Sequence, residues 1–240
     1  MAQFQPRGYR ILPPVVKNLI IINVLVFLIQ KVSHGVFNFP IEEIFALHYW
    51  QSSLFEPFQI VTSMFMHASI GHIFFNMFAL WMFGAILENS WGPKRFLIFY
   101  MICGIGAAVC FLGAQTISFH NLPGSEMFGY AMGLDPFTLQ HSNMGVARFL
   151  YEPVLGASGA IFGCLVAFGV MFPNSLIYLY FFVPIKAKWF VIGYIAIELW
   201  MGIQRNPGDN VAHFAHLGGA VIGYLLLRYW KRKQIQRHQY

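Results

Sequence analysis

Leu155-Gly156-Ala157-Ser158-Gly159-Ala160-Ile161-Phe162-Gly163 sets one serine between two glycines, at the opening of an apolar run from Ala160 to Phe172. Two readings compete for that serine. Small residues let membrane helices approach closely, so Gly, Ser and Ala can be there for packing alone. Alternatively, a serine at a helix start lies beside backbone N–H groups that have no intrahelical partner and can hold a developing oxyanion. The stretch by itself leaves both open, and the choice depends on the rest of the chain.

Of the 240 residues 58% are hydrophobic, 18% aromatic and only 10% charged. Soluble domains carry about 25% charged residues, so most of this surface is not built to face water. Apolar runs near the ~20-residue length that crosses a hydrocarbon core recur along the chain. The composition therefore defines an all-α polytopic membrane protein. Cys103, Cys110 and Cys164 all fall inside apolar runs, which excludes a disulfide framework. Arg7, Arg10 and Lys17 ahead of the first run resemble a signal peptide, but no small-residue cleavage site follows Ile29, so the run reads as a retained first span.

Six spans are predicted: Val15–Val32, Ser69–Glu88, Arg95–Ile117, Gly156–Phe172, Ala187–Gly202 and Ala212–Trp230. The apolar segment Ile177–Pro184 is too short for a span and reads as an interfacial lead-in to the fifth. Residues 1–14 form a cytoplasmic N-terminal segment, 15–230 one six-span membrane domain, and 231–240 a basic cytoplasmic tail. Lysine and arginine set this orientation. Twelve of the 15 fall on one side: Arg7, Arg10, Lys17, Lys94, Arg95, Lys186, Lys188, Arg228, Lys231, Arg232, Lys233 and Arg237. Lys31, Arg148 and Arg205 fall on the other. Both termini are then cytoplasmic, and the net charge of +6 reads as an anchor to anionic headgroups of the lipid bilayer, not as a nucleic-acid patch. The first outer connection, Ser33–His67, is aromatic enough to lie in the interface; the second, Ser118–Leu155, carries no functional signal.

In this topology the second, fourth and sixth spans run inward from the outer side, so their N-terminal ends share one depth. His67, His72 and Asn76 sit at the first of these ends, Ser158 at the next, and His213 and His216 at the last. Polar side chains in a bilayer are costly and face the bundle interior, so three sets at one level can meet in a single cavity. His72 and Asn76, four apart, share a helix face and are equally readable as interhelical hydrogen-bond glue. The histidines also suit zinc, but HExxH spacing is absent, and Asp135, Asp209 and Glu88 lie in loops or at the far end. Glu198 reaches the outer half, yet nothing in the sequence pairs it with these histidines. A serine needs a base at neutral pH, and histidine supplies it; a Ser–His pair with no third carboxylate is the economical reading.

Three motifs together resemble the rhomboid intramembrane serine proteases. They are Gly156-Ala-Ser158-Gly159-Ala-Ile-Phe162-Gly163, Ala215-His216-Leu-Gly218-Gly219, and Met66-His67-Ala-Ser-Ile-Gly-His72-Ile-Phe-Phe-Asn76, on the spans where the family carries them. A lone GxSG is weak; the set is specific, and the resemblance runs from about Val15 to Trp230. It implies Ser158 as nucleophile and His216, rather than His213, as general base. His72, Asn76 and the backbone N–H of Ser158 would hold the oxyanion, and Phe162 would orient the base in place of an aspartate. Gly219 and Gly223 form a GxxxG face bringing the sixth span onto the fourth. The implied activity cleaves transmembrane protein substrates near the outer face, favours helix-breaking small residues in the substrate, and requires no cofactor and no metal. One departure stands out: where the family often carries Trp-Arg in the first outer loop, this chain has Pro57-Phe58-Gln59, which puts loop anchoring in question.

Two other classes remain open at this level. One is a catalytically silent rhomboid-like protein that binds membrane helices through the same groove. The other is a transporter or metal-binding membrane protein using the histidine cluster. No organelle-type transit peptide and no large soluble domain are visible, which points to a bacterial plasma membrane.

Overall fold

The structure is a computed structural model that describes residues 8–120, 153–179, 182–204 and 213–237. It is predominantly helical. Helix α1 spans Pro14–Phe37, with short helices α2 (Glu42–Phe45) and α3 (Gln59–Thr62) in the connection that follows. Helix α4 (Ile70–Ala79) passes through a π-helical turn, Leu80–Gly84, directly into α5 (Ala85–Trp91). Helices α6 (Pro93–His120), α7 (Ser158–Met171), α8 (Ala187–Gln204) and α9 (His213–Arg237) complete the bundle. Among the described residues, three continuous helical stretches are long and apolar enough to cross a membrane: Pro14–Phe37, Ile70–Trp91 and Pro93–Ile117. Most of the second predicted outer connection, residues 121–152, lies outside the described residues, as does the Arg205 region.

Helix α7 is the centre. Every residue from Gly159 to Gly169 is buried, as expected of a helix that is apolar all round and wrapped by neighbours. It packs most closely on α6 and α9, and those two pack on each other. Gly219 and Gly223 make the α7–α9 contact possible. A Cβ on Gly219 would run into the Gly159 carbonyl, and one on Gly223 would stand 2.8 Å from the Gly163 Cα. Backbone thus meets backbone, which brings the first turns of α7 and α9 within side-chain reach of each other.

The opposite ends of the bundle are fastened differently. Glu88, buried, accepts from the N–H groups of Val15 (3.0 Å) and Val16 (2.8 Å), capping α1 with a carboxylate where its unsatisfied donors lie. Nearby, the Arg95 guanidinium lies 4.3 Å from the Trp230 ring centre, and Trp91 packs edge-on against the same ring. At the end that carries Ser158, two buried glutamines organise the connection after α1. The Gln59 side chain accepts from the His48 N–H (3.2 Å) and donates to the carbonyls of Ile44 (3.0 Å) and Leu54 (2.8 Å). Gln30 holds His67 by both backbone groups and donates to Glu42 at 2.9 Å. These amides anchor the loop that lacks the Trp-Arg pair.

The apolar segment ahead of α8 carries regular structure of its own: Leu176–Leu179 pairs antiparallel with Val183–Lys186, Ile177 opposite Ile185. Its alternating Ile-Tyr-Leu pattern suits a strand, and Pro184 is tolerated because a two-stranded hairpin leaves edges that need no donor.

Candidate active site

Ser158 is the first residue of α7, and the chain enters it through a strained, pinned approach. Leu47 and Val154 exchange two backbone hydrogen bonds of 2.8 Å, and the Gly156 N–H donates to the Ser63 carbonyl at 2.9 Å. Gly156 has φ +131°, a region L side chains rarely adopt, and a Cβ there would meet His72 Nε2 at 2.8 Å. The glycine before the serine is therefore needed for backbone conformation and for space.

The serine hydroxyl faces α9. Ser158 Oγ and His216 Nε2 are 2.8 Å apart, half-buried. Phe162, one turn along α7, stacks on the His216 ring at 4.4 Å between centres with the planes 8° apart, and Tyr194 of α8 stacks on the far face of Phe162 at 5.1 Å. His213 is buried, and its Nδ1 is turned to Glu198 of α8.

His72 lies across from the serine. The Cβ position of Gly156 is 2.8 Å from His72 Nε2 and 3.6 Å from Ser158 Oγ, so the two groups flank one small space. The His72 Nδ1 faces the Ala68 N–H at 3.4 Å, a long hydrogen bond that leaves Nε2 as the protonated nitrogen. Asn76, one turn below on the same face, is buried with its Nδ2 unpartnered. His67 takes a separate position. It is fully buried behind His72, ring centres 5.0 Å apart, and burial together with the neighbouring His72 pushes its imidazole down to about 4. It stays neutral at physiological pH and does not reach Ser158.

Sequence reasoning missed one residue. Glu198 of α8 is buried, and its Oε2 lies 2.7 Å from His213 Nδ1 and 2.9 Å from His216 Nδ1. The expectation that no carboxylate pairs with these histidines is thus overturned. Two signals were available. A carboxylate inside an apolar span demands a partner, and Ala187, Val191, Glu198 and Gly202, the buried residues of α8, recur at helical spacing on one face. The three donor groups lie within 4.8 Å of one another. However, tetrahedral zinc ligands at 2.0–2.1 Å from the ion stand roughly 3.3 Å apart. The 2.7 and 2.9 Å separations are those of N–H···O hydrogen bonds.

A polytopic helical membrane protein with a serine–imidazole contact is the class this fold and site define. The rhomboid domain matches residues 54–233, and the chain belongs to the rhomboid family. It is 29% identical to the mitochondrial RHOMBOID-like protein 12 of Arabidopsis thaliana over 87% of this chain and 56% of that protein. It is 28% identical to the rhomboid protease GluP of Bacillus subtilis, over 85% of this chain and 32% of GluP. It is also 28% identical to the rhomboid protease AarA of Providencia stuartii, over 87% of this chain and 69% of AarA. Across most of the curated relatives it matches, the chain spans about half their length. The relatives include mitochondrial and bacterial proteins alike, so they do not support a bacterial plasma membrane over an organelle's. The protein is an integral, multi-pass membrane protein.

Proposed function

We propose that this chain is an intramembrane serine endopeptidase, with six spans, both termini cytoplasmic, that cleaves transmembrane proteins near the outer face. The membrane domain covers residues 15–230 between cytoplasmic flanks. The observation that carries the reading is the 2.8 Å contact between Ser158 Oγ and His216 Nε2, at the start of a buried helix and under the Phe162 ring. The imidazole takes the hydroxyl proton as the oxygen attacks the substrate carbonyl. The oxyanion meets the Ser158 N–H, the His72 Nε2–H and the Asn76 amide. The imidazolium then gives its proton to the leaving amine, and water, activated by the same nitrogen, releases the acyl group from Ser158. No step calls for a cofactor or a metal. A substrate segment must be extended to lie against Ser158, so small helix-breaking residues near the scissile bond are favoured. The protease names of GluP and AarA support the same reading.

Labelling of the detergent-purified protein with a serine-reactive fluorophosphonate tests it. Wild type should label, and Ser158→Ala and His216→Ala should not. Equal labelling of all three would place the reactive residue elsewhere, and no labelling of wild type would favour a silent, helix-binding relative. The labelling rate should also rise from acid to neutral pH, because only neutral imidazole accepts from serine. A flat profile from acid to neutral pH would remove His216 from the role of base.

A further inference from the structure

Glu198 stands in the buried stripe of α8, in the half of that helix that meets α9. An ionised carboxylate in such a place is stable only when paired and hydrogen-bonded. Here one oxygen, Oε2, serves two imidazole Nδ1 atoms that come from positions three apart on α9. The direction of those bonds follows from the serine. If Ser158 Oγ–H donates to His216 Nε2, then Nε2 carries the lone pair and Nδ1 the hydrogen. Nδ1–H must find an acceptor, and the carboxylate is the acceptor present. Phe162 cannot provide this. A stacked hydrocarbon ring fixes the plane of the imidazole, but the tautomer is chosen by what lies in that plane, at Nδ1.

We infer that Glu198 is a positioning residue for the serine chemistry, the outer member of a Glu198–His216–Ser158 chain, with His213 clamping the carboxylate from its other side. The inference rests on the reading of Ser158 and His216 as nucleophile and base. It adds two functions to the carboxylate. In the ground state Glu198 holds the tautomer in which Nε2 faces Ser158. During acyl transfer it sits 2.9 Å from the nitrogen of a ring that has just become a cation, so the charge separated in the step is partly compensated in a site with little water. Among the described residues, the titratable groups on this ring or its direct partners are Ser158 from α7, Glu198 from α8, Tyr194 from α8 stacked on Phe162, His72 from α4 across the serine, and His213 on its own helix. Glu198 is the one of these that is an anion at neutral pH.

The rival is a latch: Glu198 merely ties α8 to α9, and the chemistry is indifferent to its charge. Fluorophosphonate labelling rates of the full chain across pH, for wild type, Glu198→Gln and Glu198→Asp, separate the two. In soluble serine proteases, replacing the orienting carboxylate by its amide costs about 10⁴-fold. Glu198→Gln should therefore label Ser158 about 10²- to 10⁴-fold more slowly at neutral pH. The midpoint of its rate–pH curve should move to lower pH by about one unit or more, since the imidazolium has lost its counter-charge. A latch would change the melting temperature and leave the midpoint in place. Wild-type rate and midpoint in Glu198→Gln would overturn the inference alone. Should that variant not fold, Glu198→Asp decides. It keeps the charge but withdraws the oxygen by one methylene, so a slower rate with an unmoved midpoint supports positioning and a wild-type rate overturns it. Absence of labelling in wild type would overturn the inference together with the reading beneath it.

Discussion

Helices α7 and α8 are both short, both apolar, and both deliver a polar residue to the same imidazole, yet they are built in opposite ways. Around α7 there is protein on every side; Gly159 to Gly169 are all buried and its serine sits at the first turn, where backbone donors are free. Helix α8 buries only Ala187, Val191, Glu198 and Gly202, and presents Ile192, Ile197, Trp200 and Ile203 outward. In water that outward face would be an aggregation liability, whereas against lipid tails it is ordinary. The contrast shows that apolar composition reports the solvent of a helix and not its depth. The proposed nucleophile sits on the helix that is enclosed on every side. A carboxylate can sit on a peripheral one, provided it is on the single stripe that faces inward.

The largest expected effect is on α7 itself. Ser158→Ala should lower turnover by about 10⁴-fold or more while leaving the melting temperature near wild type. A residual activity within tenfold of wild type would mean that the rigid helix does not carry the nucleophile. Asn76→Ala should cost about 10²- to 10³-fold in kcat with KM little changed; a loss confined to KM would instead make it part of substrate binding. Gly219→Val attacks the close contact between α9 and α7. It drives a side chain into the Gly159 carbonyl, and overpacking of this kind destabilises by about 3 kcal/mol. Thermal unfolding in detergent measures it, and an unchanged melting temperature would show that α9 can slide off α7 without penalty. At the other extreme, Trp200→Leu on the outward face of α8 should change stability by no more than about 0.5 kcal/mol. A large loss there would mean that α8 has a protein partner and not lipid on that side.

Much of the site was legible because chemistry and spacing coincide in the chain. The GASGA stretch, AHLGG and His72 name residues that the fold brings to one small space, with Asn76 one turn further along the helix of His72. Phe162 came from the resemblance, which sets an aromatic one helical turn after Ser158. Glu198 was harder to see, because its partners lie 15 and 18 residues away across a connection. The loop anchors were invisible for a related reason. Gln59 and Gln30 resemble any surface glutamines in sequence, and only the path of the chain around them shows that their amides replace missing backbone partners. The hairpin at Leu176–Leu179 and Val183–Lys186 was hidden by its apolar content, which a short strand and an interfacial segment share.

The sequence by itself determined that this chain lives in a membrane, where its long helices lie, and which serine and histidines are candidates for chemistry. Those properties are written in composition and in spacings of three, four and twenty residues, which local geometry converts directly into faces and lengths. The resemblance already pointed to His216 over His213; only the tertiary structure decided that His67 packs against His72 and that a carboxylate from α8 stands against both Nδ1 atoms. Those choices depend on how closely α7, α8 and α9 approach: the GxxxG spacing marks Gly219 and Gly223 as a contact face, but how the side chains of three separate helices then meet is a property of the packed helices and of no single stretch of chain.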